Sequence, residues 1–127
     1  MKNKLKLINV LALALMLTTF GCSSDDNESA TNNEVTIQNL EVTIDENSSV
    51  GQTIGTVQTA QTVGGATLTF SISSQTPAGA LSINATTGEL SVADASFFDY
   101  ETNPTITATI SVLEASNSGT VTIDLND

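Results

Sequence analysis

The amino-acid sequence predicts an all-β fold, a seven-stranded Greek-key β-sandwich that occupies residues 35–127. Apolar residues alternate with Ser, Thr and other polar residues throughout this region, which is the pattern of strands with one buried face. Turn-forming residues interrupt the alternation at intervals of about ten positions, as in sandwich domains. Short antiparallel strands with a single apolar face need a second sheet to cover that face, so we expect two packed sheets.

The seven predicted strands follow one another with short connections. The first covers residues 35–44, and its alternation changes phase at Gln38 and Asn39, which predicts a β-bulge. The second covers residues 52–60. The apolar residues that define the other five strands are Leu68, Phe70 and Ile72; Leu81 and Ile83; Leu90 and Val92; Ile106, Ala108, Ile110 and Val112; and Val121, Ile123 and Leu125. A turn at residues 85–88 separates the fourth strand from the fifth, and a helical turn is expected within residues 92–100, where the alternation breaks.

Residues 1–21 have the pattern of an export signal. Lys2, Lys4 and Lys6 precede an apolar segment at residues 7–20, and the small residue Gly21 closes it. An apolar segment of this length is too short to cross a hydrocarbon layer of about 30 Å comfortably as a helix. We therefore expect a cleaved signal peptide rather than a transmembrane anchor.

The end of this signal, Leu-Thr-Thr-Phe-Gly-Cys at residues 17–22, resembles the lipobox of bacterial lipoproteins. The resemblance implies cleavage after Gly21 and acylation of Cys22, which would make the membrane a partner through the attached lipid. Cys22 is the single Cys of the chain and has no partner for an internal disulfide. Residues 22–34 would then be the lipidated Cys and a polar, acidic tether. The expected location is the outer membrane or the cell surface.

The charge distribution excludes several classes of function. The sequence has 3 basic residues, 14 acidic residues and no His, and all three basic residues lie in the signal. Binding to nucleic acid depends on cationic contacts with phosphate, so no nucleic-acid partner is expected. A Ser or Thr nucleophile would have only a carboxylate as its base, and we predict that the protein is not an enzyme. A cation is the natural partner of such a surface.

Several carboxylates follow strands that should end on the same side of the sandwich. Strands joined by short connections run in alternating directions, so the ends of the first, third, fifth and seventh strands meet. We call this end the acidic pole, and its predicted carboxylates belong to Asp45, Glu46, Asp99, Glu101, Asp124 and Asp127. Calcium suits such a site because it accepts oxygen ligands in flexible geometry, whereas softer metals prefer Cys or His.

Five short motifs are similar in order and spacing to those of cadherin repeats. They are Asp45-Glu46-Asn47, Gly-Thr-Val at 55–57 with Thr-Leu-Thr-Phe-Ser-Ile at 67–72, Leu-Ser-Ile-Asn-Ala-Thr-Thr-Gly-Glu-Leu at 81–90, Asp99-Tyr100-Glu101, and Asp124-Leu125-Asn126-Asp127. The chain thus resembles the cadherin family over about residues 42–127. The resemblance implies calcium held between successive repeats. Glu46 and Glu101 would be ligands with Asp99 beside them, and Asp124 and Asp127 would belong to the linker part of the same site.

Two departures from the cadherin pattern weaken the expected site. Gln-Thr-Val at residues 61–63 stands where the family has Asp-x-Asp, and the sequence stops at Asp127 before another repeat could add ligands. Such a half-site would bind calcium weakly, near the range of about 10⁻⁴–10⁻³ M that is typical of extracellular modules. The alternative is that these acids are solvated turn residues, with Asp99 and Glu101 capping local backbone.

The function expected from these features is a lipid-anchored cell-surface adhesion or interaction module. Its partner would be another protein or another cadherin-like repeat. One alternative is a carbohydrate-binding surface lipoprotein, for which Phe97, Phe98 and Tyr100 would supply an aromatic surface unless they close the end of the sandwich instead. A second alternative is a truncated fragment of a longer array of cadherin repeats.

Overall fold

The computed structural model describes residues 33–127. Its nine strands are β1 (Val35–Ile37), β2 (Leu40–Asp45), β3 (Thr53–Thr56), β4 (Thr59–Gln61), β5 (Phe70–Thr76), β6 (Leu81–Ile83), β7 (Glu89–Val92), β8 (Thr105–Val112) and β9 (Ser118–Asn126). A short 3-10 helix at Ala95–Phe97 supplies the expected helical turn. The predicted signal peptide, Cys22 and most of the predicted tether lie outside the described residues. Within the described part of the chain, no helix is long and apolar enough to cross a membrane.

Two larger sheets form the sandwich, and the all-β prediction is confirmed. One sheet has four strands in the order β2-β9-β8-β5, and the other has three in the order β3-β7-β6. Strand β2 runs parallel to β9, while β5, β8 and β9 pair antiparallel in that order. Strands β2, β5 and β9 therefore run in the same direction, as the alternation of strand directions predicts.

The strand count differs from seven because two predicted strands each divide. Strand β1 pairs with β4, with Val35 opposite Gln61, whereas β2 pairs with β9, with Leu40 opposite Val121. The phase change at Gln38 and Asn39 is thus a change of sheet and not a β-bulge within one sheet. The second predicted strand divides in the same way, because β3 pairs with β7 while β4 pairs with β1.

Residues from both larger sheets share one hydrophobic core. The strict alternation in β8 and β9 places every second side chain in this core, and Ile106, Ile110 and Ile123 have no exposed surface. Burying one such aliphatic side chain contributes about 1.5–3 kcal/mol. The other fully buried large residues are Val35, Leu90, Val92, Phe98 and Val121. All of these fully buried residues lie between residues 35 and 123, within the described part of the chain.

Candidate metal centre

Glu46 is positioned by the end of strand β2. The backbone N–H of Glu46 donates to the carbonyl of Asn126 at 2.9 Å, which continues the β2–β9 pairing one residue beyond β2. Glu46 is half-buried, while its neighbour Asp45 is exposed. The carboxylate of Glu46 is therefore held at the acidic pole by a strand that belongs to the four-stranded sheet.

The loop that follows the 3-10 helix packs against this end of β2. The backbone N–H of Asn47 donates to the carbonyl of Phe98 at 2.8 Å, and the N–H of Tyr100 donates to Glu46 Oε2 at 3.0 Å. Phe98 anchors the loop because its ring lies in the core with 1% of its surface exposed. Asn47 has a left-handed backbone, with φ of 59°, a conformation that Asn adopts more readily than most residues. These contacts join segments more than fifty residues apart in sequence.

Asp99 caps the turn that carries Glu101. Its Oδ1 accepts hydrogen bonds from the backbone N–H of Glu101 at 3.0 Å and of Thr102 at 3.3 Å. The carbonyl of Asp99 also accepts from the N–H of Asn103 at 2.8 Å. The local capping expected as an alternative role for Asp99 is thus present, and it leaves Oδ2 without a hydrogen bond from the described residues.

The 3-10 helix before this loop has its own acidic cap. Asp94 Oδ1 accepts from the backbone N–H of Ser96 at 2.9 Å and from its hydroxyl at 2.7 Å. The hydrogen bond from the Ser96 hydroxyl, helped by the one from the backbone, lowers the pKa of Asp94 below its ordinary value of 3.8. Asp94 therefore fixes the start of the segment that leads to Asp99. It is not one of the predicted metal-binding carboxylates.

Three carboxylates converge at the acidic pole. Glu46, Asp99 and Glu101 each offer an oxygen, and these oxygens lie within 4.8 Å of one another. Two ligands on opposite sides of calcium are separated by about 5 Å, since each lies about 2.3–2.6 Å from the ion. The spacing and the purely oxygen donor set fit calcium. Three carboxylates supply at most six oxygens, so water would have to complete a shell of about 6–8 ligands.

The other two predicted site residues do not join this group. Asp124 lies within β9, opposite Thr43 and Thr105, and its Oδ1 accepts from the Thr105 hydroxyl at 2.9 Å. Two residues of strand, about 7 Å, separate it from the end of β9. Asp127 follows β9 and is exposed. In the described chain the three convergent carboxylates therefore come from the residue that follows β2 and from the loop of residues 98–101.

Sequence reasoning missed the groups that orient the carboxylates. The backbone N–H of Tyr100 binds Glu46, and the carbonyl of Phe98 holds Asn47. A backbone group carries no signal of its own in the sequence, because every residue except Pro has the same donor and acceptor. Asn47 offers a hint, because it directly follows the acidic pair Asp45-Glu46.

The aromatic residues of this region do not form a shared exposed surface. Phe98 is in the core and Phe97 is half-buried, whereas Tyr100 has 40% of its surface exposed. Of the two roles considered for these side chains, closing the end of the sandwich is the one that Phe98 fulfils. A flat platform of several rings for stacking against sugars is not present among these three residues.

Comparison with known proteins places these features in a family. Residues 40–126 match the family model described as Cadherin domain. The human desmocollin-1 ectodomain is similar in structure, with a TM-score of 0.67 and 25% identity over 76% of this chain and 21% of that one. Extracellular domains 1–5 of protocadherin gamma B2 give a TM-score of 0.64 and 17% identity over 76% of this chain and 21% of that one.

Human protocadherin-24 EC1-2 shows the same fold, with a TM-score of 0.62 and 16% identity over 76% of this chain and 54% of that one. The chain spans about a fifth of the desmocollin-1 and protocadherin gamma B2 ectodomains. None of the curated proteins is significantly similar in sequence.

Proposed function

The chain belongs to the cadherin domain family, and we propose that it is a lipid-anchored cell-surface interaction module with a weak calcium site at its acidic pole. The observation that carries the calcium proposal is the convergence of Glu46, Asp99 and Glu101 within 4.8 Å in a chain whose residues 7–127 contain no Lys, Arg or His. Carboxylates at this distance repel one another, and a divalent cation relieves that repulsion.

The hydrogen bonds around the site support this proposal. Glu46 and Asp99 are each fixed through one oxygen by backbone N–H groups, which leaves the other oxygen of each free of bonds from the described residues. Hydrogen bonds of this kind orient metal-binding carboxylates and reduce the ordering that binding requires. Glu101 makes no side-chain hydrogen bond within the described part, so it is the carboxylate that would move onto the ion.

The position of the pole suits a role in binding a partner. The first described residues lie at the opposite end of the sandwich, where Val35 forms a bridge with Ala115 in the connection before β9. Strand β9 has 9 residues and spans about 30 Å. A chain anchored through a lipid on Cys22 would therefore enter the domain at the end away from the acidic pole. That pole would be available to another protein or to another cadherin-like repeat.

Catalysis is not part of this proposal. Apart from Cys22, residues 7–127 contain no Cys, His, Lys or Arg, so the residue types that most often serve as base, acid or nucleophile are missing. Anchoring in the outer membrane or at the cell surface is proposed from the signal at residues 1–21 and from Cys22.

The experiment that tests the calcium site is thermal unfolding of residues 23–127 with about 10 mM calcium and with a chelator, at equal ionic strength. For a dissociation constant of about 1 mM, binding to the folded state adds about 1.4 kcal/mol. We expect the melting temperature to rise by about 5–10 °C. Magnesium should give a smaller rise, because it is reluctant to exchange its water for a set of protein ligands.

Two variants make this test specific. Glu101→Gln keeps the shape of the side chain and should abolish the calcium-dependent rise. Glu41→Gln removes an exposed carboxylate outside the group and should leave the rise intact. An equal rise in all three proteins would show that calcium acts on the general surface charge, and no rise in any of them would rule out the site while leaving the fold assignment untouched.

A further inference from the structure

The domain carries negative charge without any positive side chain to balance it. Residues 33–127 contain 11 acidic residues and no basic residue. Ten of these side chains are exposed and Glu46 is half-buried, so all of them are in contact with solvent. They are Glu34, Glu41, Asp45, Glu46, Glu89, Asp94, Asp99, Glu101, Glu114, Asp124 and Asp127.

The hydrogen bonds of these carboxylates orient them without neutralising them. The Thr53 hydroxyl donates to Glu89 at 2.7 Å, and the Thr69 backbone N–H donates to Glu114 at 2.9 Å. Hydroxyl and backbone donors carry no net charge, so these hydrogen bonds do not cancel the charge of a carboxylate. An ion pair, which would cancel charge, cannot form between side chains of the described domain because its acids have no basic partner.

Folding brings these charges together. A domain of this size has a radius of gyration of about 12 Å when folded and about 30 Å when unfolded. The Debye length, over which salt screens the interaction between charges, is about 30 Å at 0.01 M salt and about 3 Å at 1 M. At low salt every carboxylate of the folded domain therefore repels all the others, whereas at high salt each is screened from all but its nearest neighbours.

We propose that this cadherin domain depends on the salt of its surroundings for its stability, through general screening of its surface carboxylates by monovalent cations. Self-repulsion of a highly charged compact state lowers its stability relative to the extended chain. Screening removes that penalty without any specific site. This dependence is separate from the calcium proposal, because it involves all 11 carboxylates and does not require Glu46, Asp99 and Glu101 to bind an ion.

The test is thermal unfolding of residues 23–127 between about 10 mM and 1 M NaCl, with a chelator present to remove divalent ions. We expect the melting temperature to rise by about 10 °C or more, since each kcal/mol corresponds to about 4–8 °C in a domain of this size. KCl should give the same rise as NaCl. A melting temperature that stays constant over this range would overturn the proposal.

Charge variants separate screening from other effects of salt, such as stronger burial of apolar surface. Glu34→Gln, Glu41→Gln, Asp45→Asn and Asp127→Asn together replace four carboxylates whose side chains accept no hydrogen bond from residues 33–127. In the tested chain, residues 23–127, the number of acidic side chains falls from 14 to 10, and because repulsion scales with the square of the charge, the salt-dependent rise should fall to about half. A rise equal to that of the unchanged protein would contradict screening.

The opposite change gives a matched control. Gln38 and Gln52 are exposed, and Gln52 Oε1 accepts a hydrogen bond from the Ser49 backbone that a Glu would also accept. The double variant Gln38→Glu, Gln52→Glu should melt at a lower temperature in 10 mM NaCl and show a steeper rise with salt. If calcium gives no rise in melting temperature, the rise with NaCl can still change with the number of carboxylates. In that case the calcium site is wrong and the salt dependence stands.

Discussion

Gly88 shows how much a single residue decides in this fold. Its backbone is left-handed, with φ of +72°, and a Cβ at this position would lie 2.8 Å from Cε1 of Phe70. Phe70 is itself buried in the core at the start of β5. Gly88 thus combines a backbone conformation that favours glycine with a contact that leaves no space for a side chain.

Replacing Gly88 with Ala should therefore be more harmful than the same change at a glycine with similar backbone and free space. Gly79 is that control, with φ of +88° and no atom within 4 Å of the place that a Cβ would occupy. Gly79→Ala should cost about 1–2 kcal/mol, the usual penalty of a left-handed residue. Gly88→Ala should cost about 1–3 kcal/mol more, because the ring of Phe70 has to shift.

Urea unfolding of both variants measures this difference. Equal midpoints for the two variants would mean that the Phe70 contact relaxes at no cost. The sequence predicted a turn at residues 85–88 from its composition, but the contact with Phe70 joins residues 18 positions apart and depends on how the sheets pack.

At the scale of the elements, the main departure from expectation is the change of sheet between β1 and β2. A β-bulge and a change of sheet both shift the phase of the alternation by one residue, so the apolar pattern at residues 35–44 is the same for either. Residues from the far end of the chain decide between them. Asn39 Oδ1 accepts from the backbone N–H of Thr120 at 2.9 Å, and a Cβ at Gly119 would overlap Ile37.

The Asn117 side chain makes the hydrogen bonds that a neighbouring strand would make at the end of β1. Its Oδ1 accepts from the backbone N–H of Ile37 at 2.8 Å, and its Nδ2 donates to the carbonyl of Ile37 at 3.0 Å. Both backbone groups of Ile37 are thereby paired at the point where β1 ends. A side-chain amide can do this because its oxygen accepts and its nitrogen donates, and both are bonded to the same carbon.

Asn117→Ala should destabilise the domain by about 1–3 kcal/mol, the sum of two hydrogen bonds of ordinary net strength. Denaturant unfolding checks the value, and amide hydrogen exchange should show faster exchange at Ile37 in particular. Asn126→Ala is the control, because the Asn126 side chain is exposed and takes no hydrogen bond from the described residues. A loss no greater than that of the control would mean that water replaces Asn117 fully.

Gln75 makes a comparable link between the edges of the two larger sheets. Its Oε1 accepts from the backbone N–H of Leu81 at 2.7 Å, and its Nε2 donates to the carbonyl of Leu81 at 3.3 Å. Strand β5 is an edge of one sheet and β6 is an edge of the other. Polar side chains thus bind the two sheets together at positions that the apolar pattern does not mark.

At the scale of the whole molecule, the proposed attachment to the membrane depends on Cys22. Two or more acyl chains on Cys22 would bind the membrane stably, whereas a single chain binds only marginally. We expect the Cys22→Ala protein to move from the membrane fraction to the soluble fraction. Metabolic labelling with a radioactive fatty acid should mark the unchanged protein and leave this variant unlabelled.

The neighbouring change Ser23→Ala should affect neither result, because Ser23 follows the position proposed to carry the lipid. Continued labelling or membrane binding of the Cys22→Ala protein would refute lipid anchoring at that residue. It would not bear on the cadherin fold, which residues 40–126 support by themselves.

The sequence by itself determined the all-β class and the positions of most strands. It also determined that every charged side chain of the domain is acidic. Those properties follow from local alternation and from composition, and the burial pattern of β8 and β9 follows them residue by residue. Alternation of strand direction predicted one acidic pole for Asp45, Glu46, Asp99, Glu101, Asp124 and Asp127. Of these, Glu46, Asp99 and Glu101 have carboxylate oxygens within 4.8 Å of one another.

Tertiary structure decided which carboxylates are close enough to share an ion. Glu46, Asp99 and Glu101 converge because the 98–101 loop is bonded to the end of β2, whereas Asp124 faces Thr105 from within β9. Distances of a few ångströms between oxygens depend on hydrogen bonds that join residues more than fifty positions apart. Such bonds involve backbone groups common to all residues, so only the folded chain selects them.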